Sequence, residues 1–143
     1  MYKNLLVCTD GSKLSEKAVA HAIALAQAVG AGITAFYAAP DYPLPAYADG
    51  VVYEPVSRKE YTKLAAADAE KILGAVTAKA EAAGIACKTA YAIAAAPWEA
   101  ILSAAKKQKC DAIVMASHGR RGVSALLLGS ETQKVLTHSK LPV

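Results

Sequence analysis

Short apolar runs alternate along this chain with longer segments in which apolar residues recur every three or four positions. The short runs have the length and composition of buried strands and cover residues 4–9, 33–39, 85–93 and 111–116. The longer segments have helical periodicity and cover about residues 12–29, 58–82, 97–107 and 130–138. Strands that alternate with helices in this way are parallel and joined by right-handed crossovers, so the pattern predicts an α/β fold.

Glycine and proline mark several ends of these elements. Gly30 and Gly84 are placed to end the first two helices, and Pro97 suits the first turn of the third. The run 141–143 should begin a fifth strand, which the sequence cuts short. We find no internal repeat and expect a single domain over residues 1–143, with a doubly wound, mostly parallel five-stranded sheet and helices on both faces.

Residues 40–57 interrupt the alternation. This stretch contains four prolines, three tyrosines and Gly50, with no clear periodicity. A structureless loop of this length is uncommon inside a compact domain and is often functional. Two interpretations remain open: a disordered surface insert, or a flap over a site or partner contact.

Composition narrows the class of protein. The chain has 143 residues, of which 55% are hydrophobic and 20% charged, as expected of a globular domain. The net charge of +4 could attract a nucleotide but is too diffuse to indicate a nucleic-acid partner. No stretch resembles a membrane span or a signal peptide, so we expect a cytoplasmic protein without a membrane partner.

Cysteine usage indicates neither a disulfide framework nor a metal site. The three cysteines are far apart and odd in number, which predicts buried, reduced thiols at Cys8, Cys87 and Cys110. The chain has no Cys-x-x-Cys, and its histidines lack ligand spacing, so we expect no metal held by the protein.

The stretch 114–130 carries the clearest chemistry. It begins as a buried strand and breaks into a small, cationic loop that contains Arg120 and Arg121. Glycines in such a loop let backbone N–H groups approach oxygen atoms, and arginine adds a fork of donors. Ser130 and Gln133 fit a capping box, which would aim a helix N-terminus at the same place. The pattern predicts a phosphate site.

This stretch resembles the signature G-x2-G-x9-G-[S/T] of the universal stress protein family. Gly119, Gly129 and Ser130 match the signature, and Ala116 stands where the first glycine is expected. The resemblance extends over the whole chain. It implies a Rossmann-like, adenine nucleotide alpha hydrolase-like fold and an ATP-binding regulatory protein of the stress response, without enzymatic activity beyond slow ATP hydrolysis. It also implies a homodimer formed through the C-terminal strand and is compatible with Mg²⁺ held mainly by the phosphates.

The resemblance and the loop chemistry together define the candidate nucleotide contacts. Asp10 can bond the local backbone, contact the adenosine part of the ligand, or do both, and Ala38 aligns with an apolar residue against adenine. Glu131 carries the same charge as phosphate, so its backbone N–H is the group suited to donate. His118 suits loop hydrogen bonding better than base catalysis. The full candidate set is Cys8, Thr9, Asp10, Ala38, Met115, Ala116, Ser117, His118, Gly119, Arg120, Arg121, Gly122, Gly129, Ser130, Glu131 and Thr132.

Two other functions compete with nucleotide binding. Ala116 favours a member of the family that works as a dimeric interaction protein without nucleotide, because positive φ at an L-residue costs roughly 1–2 kcal/mol. A nucleotidyl transferase or ATP pyrophosphatase of related architecture would carry His-x-Gly-His or Ser-Gly-Gly-x-Asp-Ser near the first strand. This chain has Thr-Asp-Gly-Ser at 9–12, which disfavours that class.

Overall fold

The structure, a computed structural model, describes residues 1–43, 46–53, 56–118 and 128–143. The strands are β1 (Asn4–Cys8), β2 (Gly32–Pro40), β3 (Ala46–Ala48), β4 (Val51–Tyr53), β5 (Cys87–Ala94) and β6 (Ala112–Val114). The helices are α1 (Lys13–Val29), α2 (Arg58–Ala82), α3 (Pro97–Lys107) and α4 (Ser130–His138). Within the described residues, no helix is long and apolar enough to cross a lipid bilayer.

The main sheet has the order β5-β2-β1-β6, and all its paired strands are parallel. From β1 the chain steps outward to β2 and β5, then returns to the other side of β1 as β6. Accordingly α1 and α2 pack on one face of the sheet, and α3 and α4 pack on the other. The predicted doubly wound α/β fold is confirmed.

The predicted number of strands is wrong, because the described part of this sheet has four strands and not five. The segment 141–143 does lie beside β6, where Ile113 N donates to Pro142 O at 2.9 Å. A proline has no N–H to donate in return, so the ladder does not extend through this residue.

Residues 46–53 form a β-hairpin, so the expectation of a structureless stretch is wrong there. β3 and β4 pair antiparallel across a two-residue turn at Asp49 and Gly50. Both turn residues have positive φ, 51° and 74°. Asp-Gly is the sequence signal of such a turn, and the surrounding prolines obscured it.

The central strands β1 and β2 are buried on both faces of the sheet. Leu5 and Val7 of β1 point toward α1 and α2, whereas Leu6 and Cys8 point toward α3 and α4. Burial, with a smaller contribution from Cys110, raises the pKa of Cys8 to about 12. Cys8 and Cys110 are buried free thiols as predicted, but Cys87 lies on the edge strand β5 and is only partly buried.

Candidate functional site

The candidate residues meet at one edge of the sheet. β1 and β6 are adjacent and parallel, so Thr9 and Asp10, which follow β1, lie at the same edge as residues 115–118, which follow β6. The chain reverses its direction of travel across the sheet between these two strands. The carboxyl ends of strands at such a switch point form the crevice in which α/β proteins bind ligands.

Three apolar candidates share one face of the sheet. Cys8 is buried in the cluster beneath α3 and α4, and Ala38 and Met115 pack against that cluster while remaining partly exposed. They come from β1, β2 and the residue after β6. An apolar group that entered the crevice on this face would meet Ala38 and Met115.

The turn after β1 is fixed by its own side chains. Asp10 Oδ1 accepts a hydrogen bond from Ser12 N at 2.9 Å, and Thr9 Oγ1 accepts one from Gly11 N at 3.2 Å. Gly11 has a φ of 76°, a conformation that glycine adopts without strain. The local backbone role expected of Asp10 is therefore present, although the cap of α1 itself is Ser12, whose side chain accepts from Ser15 N.

The two ends of the signature stretch are bonded to each other. Gly129 N donates to Ser117 O at 2.8 Å, and Thr132 Oγ1 donates to Ala116 O at 3.0 Å. A Cβ at position 129 would lie 2.8 Å from Ser117 O, closer than such contacts occur. Glycine at 129 therefore permits the close approach of α4 to the end of β6.

The predicted capping box at the start of α4 is wrong. Ser130 is the first helical residue, and the N-cap is Gly129, which has no side chain to accept a hydrogen bond. The first backbone bond within the helix runs from Gln133 N to Gly129 O at 2.9 Å. The amides of residues 130–132 thus have no acceptor inside the helix, and such a helix end favours an anion.

The side chain of Glu131 serves a different helix. Its Oε2 accepts a hydrogen bond from Trp98 N at 2.9 Å, at the start of α3, and its Oε1 lies 3.3 Å from Lys134 Nζ. The N-cap position of α3 is Ala96, which has no side-chain oxygen. Sequence reasoning missed this cap, because an alanine there signals that an acceptor is needed but not which residue supplies it.

The remaining loop candidates divide between described and undescribed residues. Ser117 Oγ and His118 Nδ1 lie 2.8 Å apart, which agrees with a hydrogen-bonding role for His118. Among described residues other than glycine, positive φ occurs only at Asp49 and Lys109, so Ala116 has an ordinary backbone conformation. Four predicted phosphate contacts lie outside the described residues: Gly119, Arg120, Arg121 and Gly122. The described residues contain no group of three or more His, Cys, Asp and Glu side chains that could hold a metal ion.

Comparison with known proteins identifies the family. The model of the universal stress protein family matches residues 1–143. The chain belongs to the universal stress protein family. A curated relative from Thermus aquaticus, named for its position 3′ of a QAH/OAS sulfhydrylase gene, is 34% identical over the whole of this chain and 97% of its own length.

Solved structures of universal stress proteins superpose on this fold. One, determined in complex with cAMP, has a TM-score of 0.70 and 28% identity, covering 99% of this chain and 94% of its own. Another, a family protein from Arabidopsis thaliana with AMP bound, has a TM-score of 0.67. It covers 99% of this chain and 88% of its own, and at 15% identity it shows the shared fold alone.

Proposed function

We propose that this universal stress protein is a regulatory protein that binds an adenine nucleotide, with ATP as the first candidate. The ligand would lie in the crevice at the carboxyl ends of β1 and β6. Its adenosine part would face Asp10 and Ala38, and its phosphates would face the start of α4. Any Mg²⁺ would be held mainly by the phosphates. The protein would catalyse no reaction beyond slow ATP hydrolysis.

One observation carries this proposal: the N-terminus of α4, which has no side-chain cap, is held against the end of β6 at the switch point of the sheet. The two hydrogen bonds to Ala116 O and Ser117 O fix this helix end, and the amides of residues 130–132 have no acceptor within the helix. The carboxylate of Glu131 is directed to α3 instead. This arrangement supports a phosphate position, and the universal stress protein determined in complex with cAMP supports adenine as the base.

The cationic loop would add charge to the same site. Arg120 and Arg121 follow His118 after a single intervening residue, Gly119. If they contact phosphate, replacing both with alanine should weaken ATP more than adenosine, and more strongly at low salt than at high salt. Equal losses for the two ligands would contradict a phosphate role.

The direct experiment is to identify any nucleotide released when freshly purified protein is denatured, followed by calorimetry with ATP, AMP, cAMP and adenosine. We expect an adenine nucleotide in the supernatant and binding of ATP by the emptied protein. A protein that carries no nucleotide and binds none of the four ligands would contradict the proposal. Transfer of a group from ATP to a product would favour an enzyme instead.

Gly129→Ala tests the helix end. The added Cβ would collide with Ser117 O, so α4 must move away from β6 and ATP binding should fall by tenfold or more, about 1.4 kcal/mol. Gly74→Ala is the matched control, because a Cβ there meets nothing within 4 Å and the site lies in the middle of α2. That control should raise stability by about 0.5–1 kcal/mol and leave ATP affinity unchanged. Unchanged ATP binding in Gly129→Ala would remove α4 from the site.

We further propose that the protein is a cytoplasmic homodimer joined through the segment 141–143. This segment lies at the β6 edge of the sheet, held by the bond between Ile113 N and Pro142 O. An edge with unpaired backbone groups favours pairing with a second chain.

A further inference from the structure

The hydroxyl of Ser15, in the first turn of α1, lies beneath the turn that carries Asp10. Ser15 Oγ is 2.9 Å from Ser12 O and 3.1 Å from Thr9 Oγ1. Ser15 is 3% exposed and Thr9 is 7% exposed. Water therefore has little access to this pair of hydroxyls, and a lost partner would not be replaced from solvent.

Counting protons fixes the direction of these hydrogen bonds. A carbonyl oxygen only accepts, so Ser15 donates its single proton to Ser12 O. Thr9 Oγ1 must then donate to Ser15 Oγ, and a lone pair of Thr9 Oγ1 accepts from Gly11 N. The chain of bonds consequently fixes the peptide between Asp10 and Gly11.

We propose that Ser15 is a positioning residue for the nucleotide site, which acts through Thr9 to hold Asp10 at the adenosine end of the ligand. This inference rests on the proposed function, since it assigns Ser15 to the site proposed above. Without the Ser15 hydroxyl, the Thr9 proton has no acceptor at its present orientation. The Thr9 hydroxyl must then turn to another acceptor, which weakens the hydrogen bond that Gly11 N makes to Thr9 Oγ1.

Ser15→Ala and Ser12→Ala form a matched pair that tests this role. Each removes one hydroxyl from the start of α1, so each should lower the melting temperature. Ser12 Oγ caps the helix through Ser15 N, but the acceptor of the Ser15 proton is the backbone oxygen of Ser12, which survives its substitution. Only Ser15→Ala breaks the chain of bonds to Gly11.

Calorimetry separates positioning from general loss of stability. Ser15→Ala should weaken adenosine and ATP by the same factor, about fivefold, the usual net value of one hydrogen bond such as that at Gly11 N, whereas Ser12→Ala should change both by less than about twofold. The proposal would be overturned if Ser15→Ala bound both ligands as tightly as the parent does. It would also be overturned if Ser12→Ala lost as much affinity as Ser15→Ala, or if Ser15→Ala lost affinity for ATP but not for adenosine. If the parent protein binds neither ligand, the proposed function itself is contradicted. This result is obtained before any variant is compared.

Amide hydrogen exchange gives a readout that needs no ligand. In the parent, Gly11 N is bonded to Thr9 Oγ1. We expect its exchange to accelerate in Ser15→Ala and to stay at the parent rate in Ser12→Ala. Unchanged protection of Gly11 in Ser15→Ala would show that the hydroxyl pair does not hold the turn, and would overturn the proposal.

Discussion

At the scale of single residues, the methyl group of Ala116 is where this chain departs from its family signature. Because φ at Ala116 is not positive, the residue carries no left-handed strain, and its backbone conformation gives no reason to exclude nucleotide binding. Its carbonyl oxygen accepts from Thr132 Oγ1, so the backbone here takes part in joining β6 to α4. For nucleotide binding, we expect the path of the backbone at position 116 to be more important than the identity of the side chain.

Ala116→Gly should therefore change ATP affinity by less than tenfold. It should also lower the free energy of unfolding by about 0.4–1 kcal/mol, because glycine gives the unfolded chain more freedom. Ala116→Val should reduce ATP affinity by a larger factor than Ala116→Gly changes it, since a branched side chain is added beside the crevice. Calorimetry and denaturant unfolding of the three proteins measure both effects. A parent that does not bind ATP, with binding restored by Ala116→Gly, would place this protein in the class without nucleotide.

Individual residues also show where sequence reasoning stopped. The signature spacing predicted Gly129 as a functional position, but only the fold reveals that Ser117 O is the atom that forbids a side chain there. Likewise the hydrogen bond between Ser15 and Thr9 depends on how β1 turns into α1. Contacts of this kind are set by the three-dimensional path of the backbone, which spacing does not contain.

At the scale of elements, the apolar periodicity predicted helices and central strands well. The bounds of α2 and α4 agree with the prediction, and in α2 the buried residues recur every three or four positions. The β3–β4 hairpin was missed, since three-residue strands are too short to show alternation. The cap of α3 by Glu131 was missed because it joins two helices far apart in sequence.

The cap across helices can be measured. Glu131→Ala should lower the free energy of unfolding by about 1 kcal/mol, the usual value of a lost N-cap, because Trp98 N loses its acceptor. Glu131→Gln should keep most of that stability, since an amide oxygen can accept the same bond. Glu99→Ala is the control, as Glu99 lies in the same first turn of α3, is exposed, and makes no side-chain hydrogen bond in the described part of the chain.

Denaturant unfolding of these three variants decides the role. Glu99→Ala should cost no more than about 0.5 kcal/mol, the usual effect at an exposed site. If Glu131→Gln were as unstable as Glu131→Ala, charge and not the hydrogen bond would be the important property of this residue.

Asp111 joins the starts of β1 and β6, at the amino ends of these strands and therefore opposite the candidate site. Its Oδ2 accepts hydrogen bonds from the backbone N–H groups of Lys3 and Asn4, the latter at 3.0 Å. These bonds, followed by the positive charges of Lys3 and the N-terminus, hold the pKa of Asp111 below its ordinary value. The folded state therefore favours the charged carboxylate.

Asp111 should thus stabilise the fold above its ordinary pKa of about 3.9, and the stabilisation should disappear as pH falls through the lowered pKa of the folded state. Asp111→Asn should make the free energy of unfolding less dependent on pH between about pH 4 and pH 2. Asp68→Asn, an exposed change on α2, is the control and should reduce the slope less. An identical slope in the parent and in Asp111→Asn would exclude this linkage.

At the scale of the whole molecule, the order of strands places the site. Alternating strands and helices predicted parallel pairing, and the return of the chain to the other side of β1 creates the switch point between β1 and β6. The same topology leaves β5 at one edge of the sheet and the short strand β6 at the other. In the part of the chain that the structure describes, residues 141–143 lie along the β6 edge, held by the backbone bond from Ile113 N to Pro142 O.

This edge is where we expect a second copy of the chain to pair. Val143 is 44% exposed, so its side chain is accessible to a partner. Sedimentation equilibrium should give a dimer for the parent, and Val143→Lys should raise the dissociation constant, because charged side chains disfavour pairing at strand edges. Leu64→Lys is the control: Leu64 is exposed at 53%, but it lies on α2, which packs against β2 and β5 on the other side of the sheet. A parent that stays monomeric at high micromolar concentration would contradict the homodimer, and equal weakening by both variants would place the contact elsewhere.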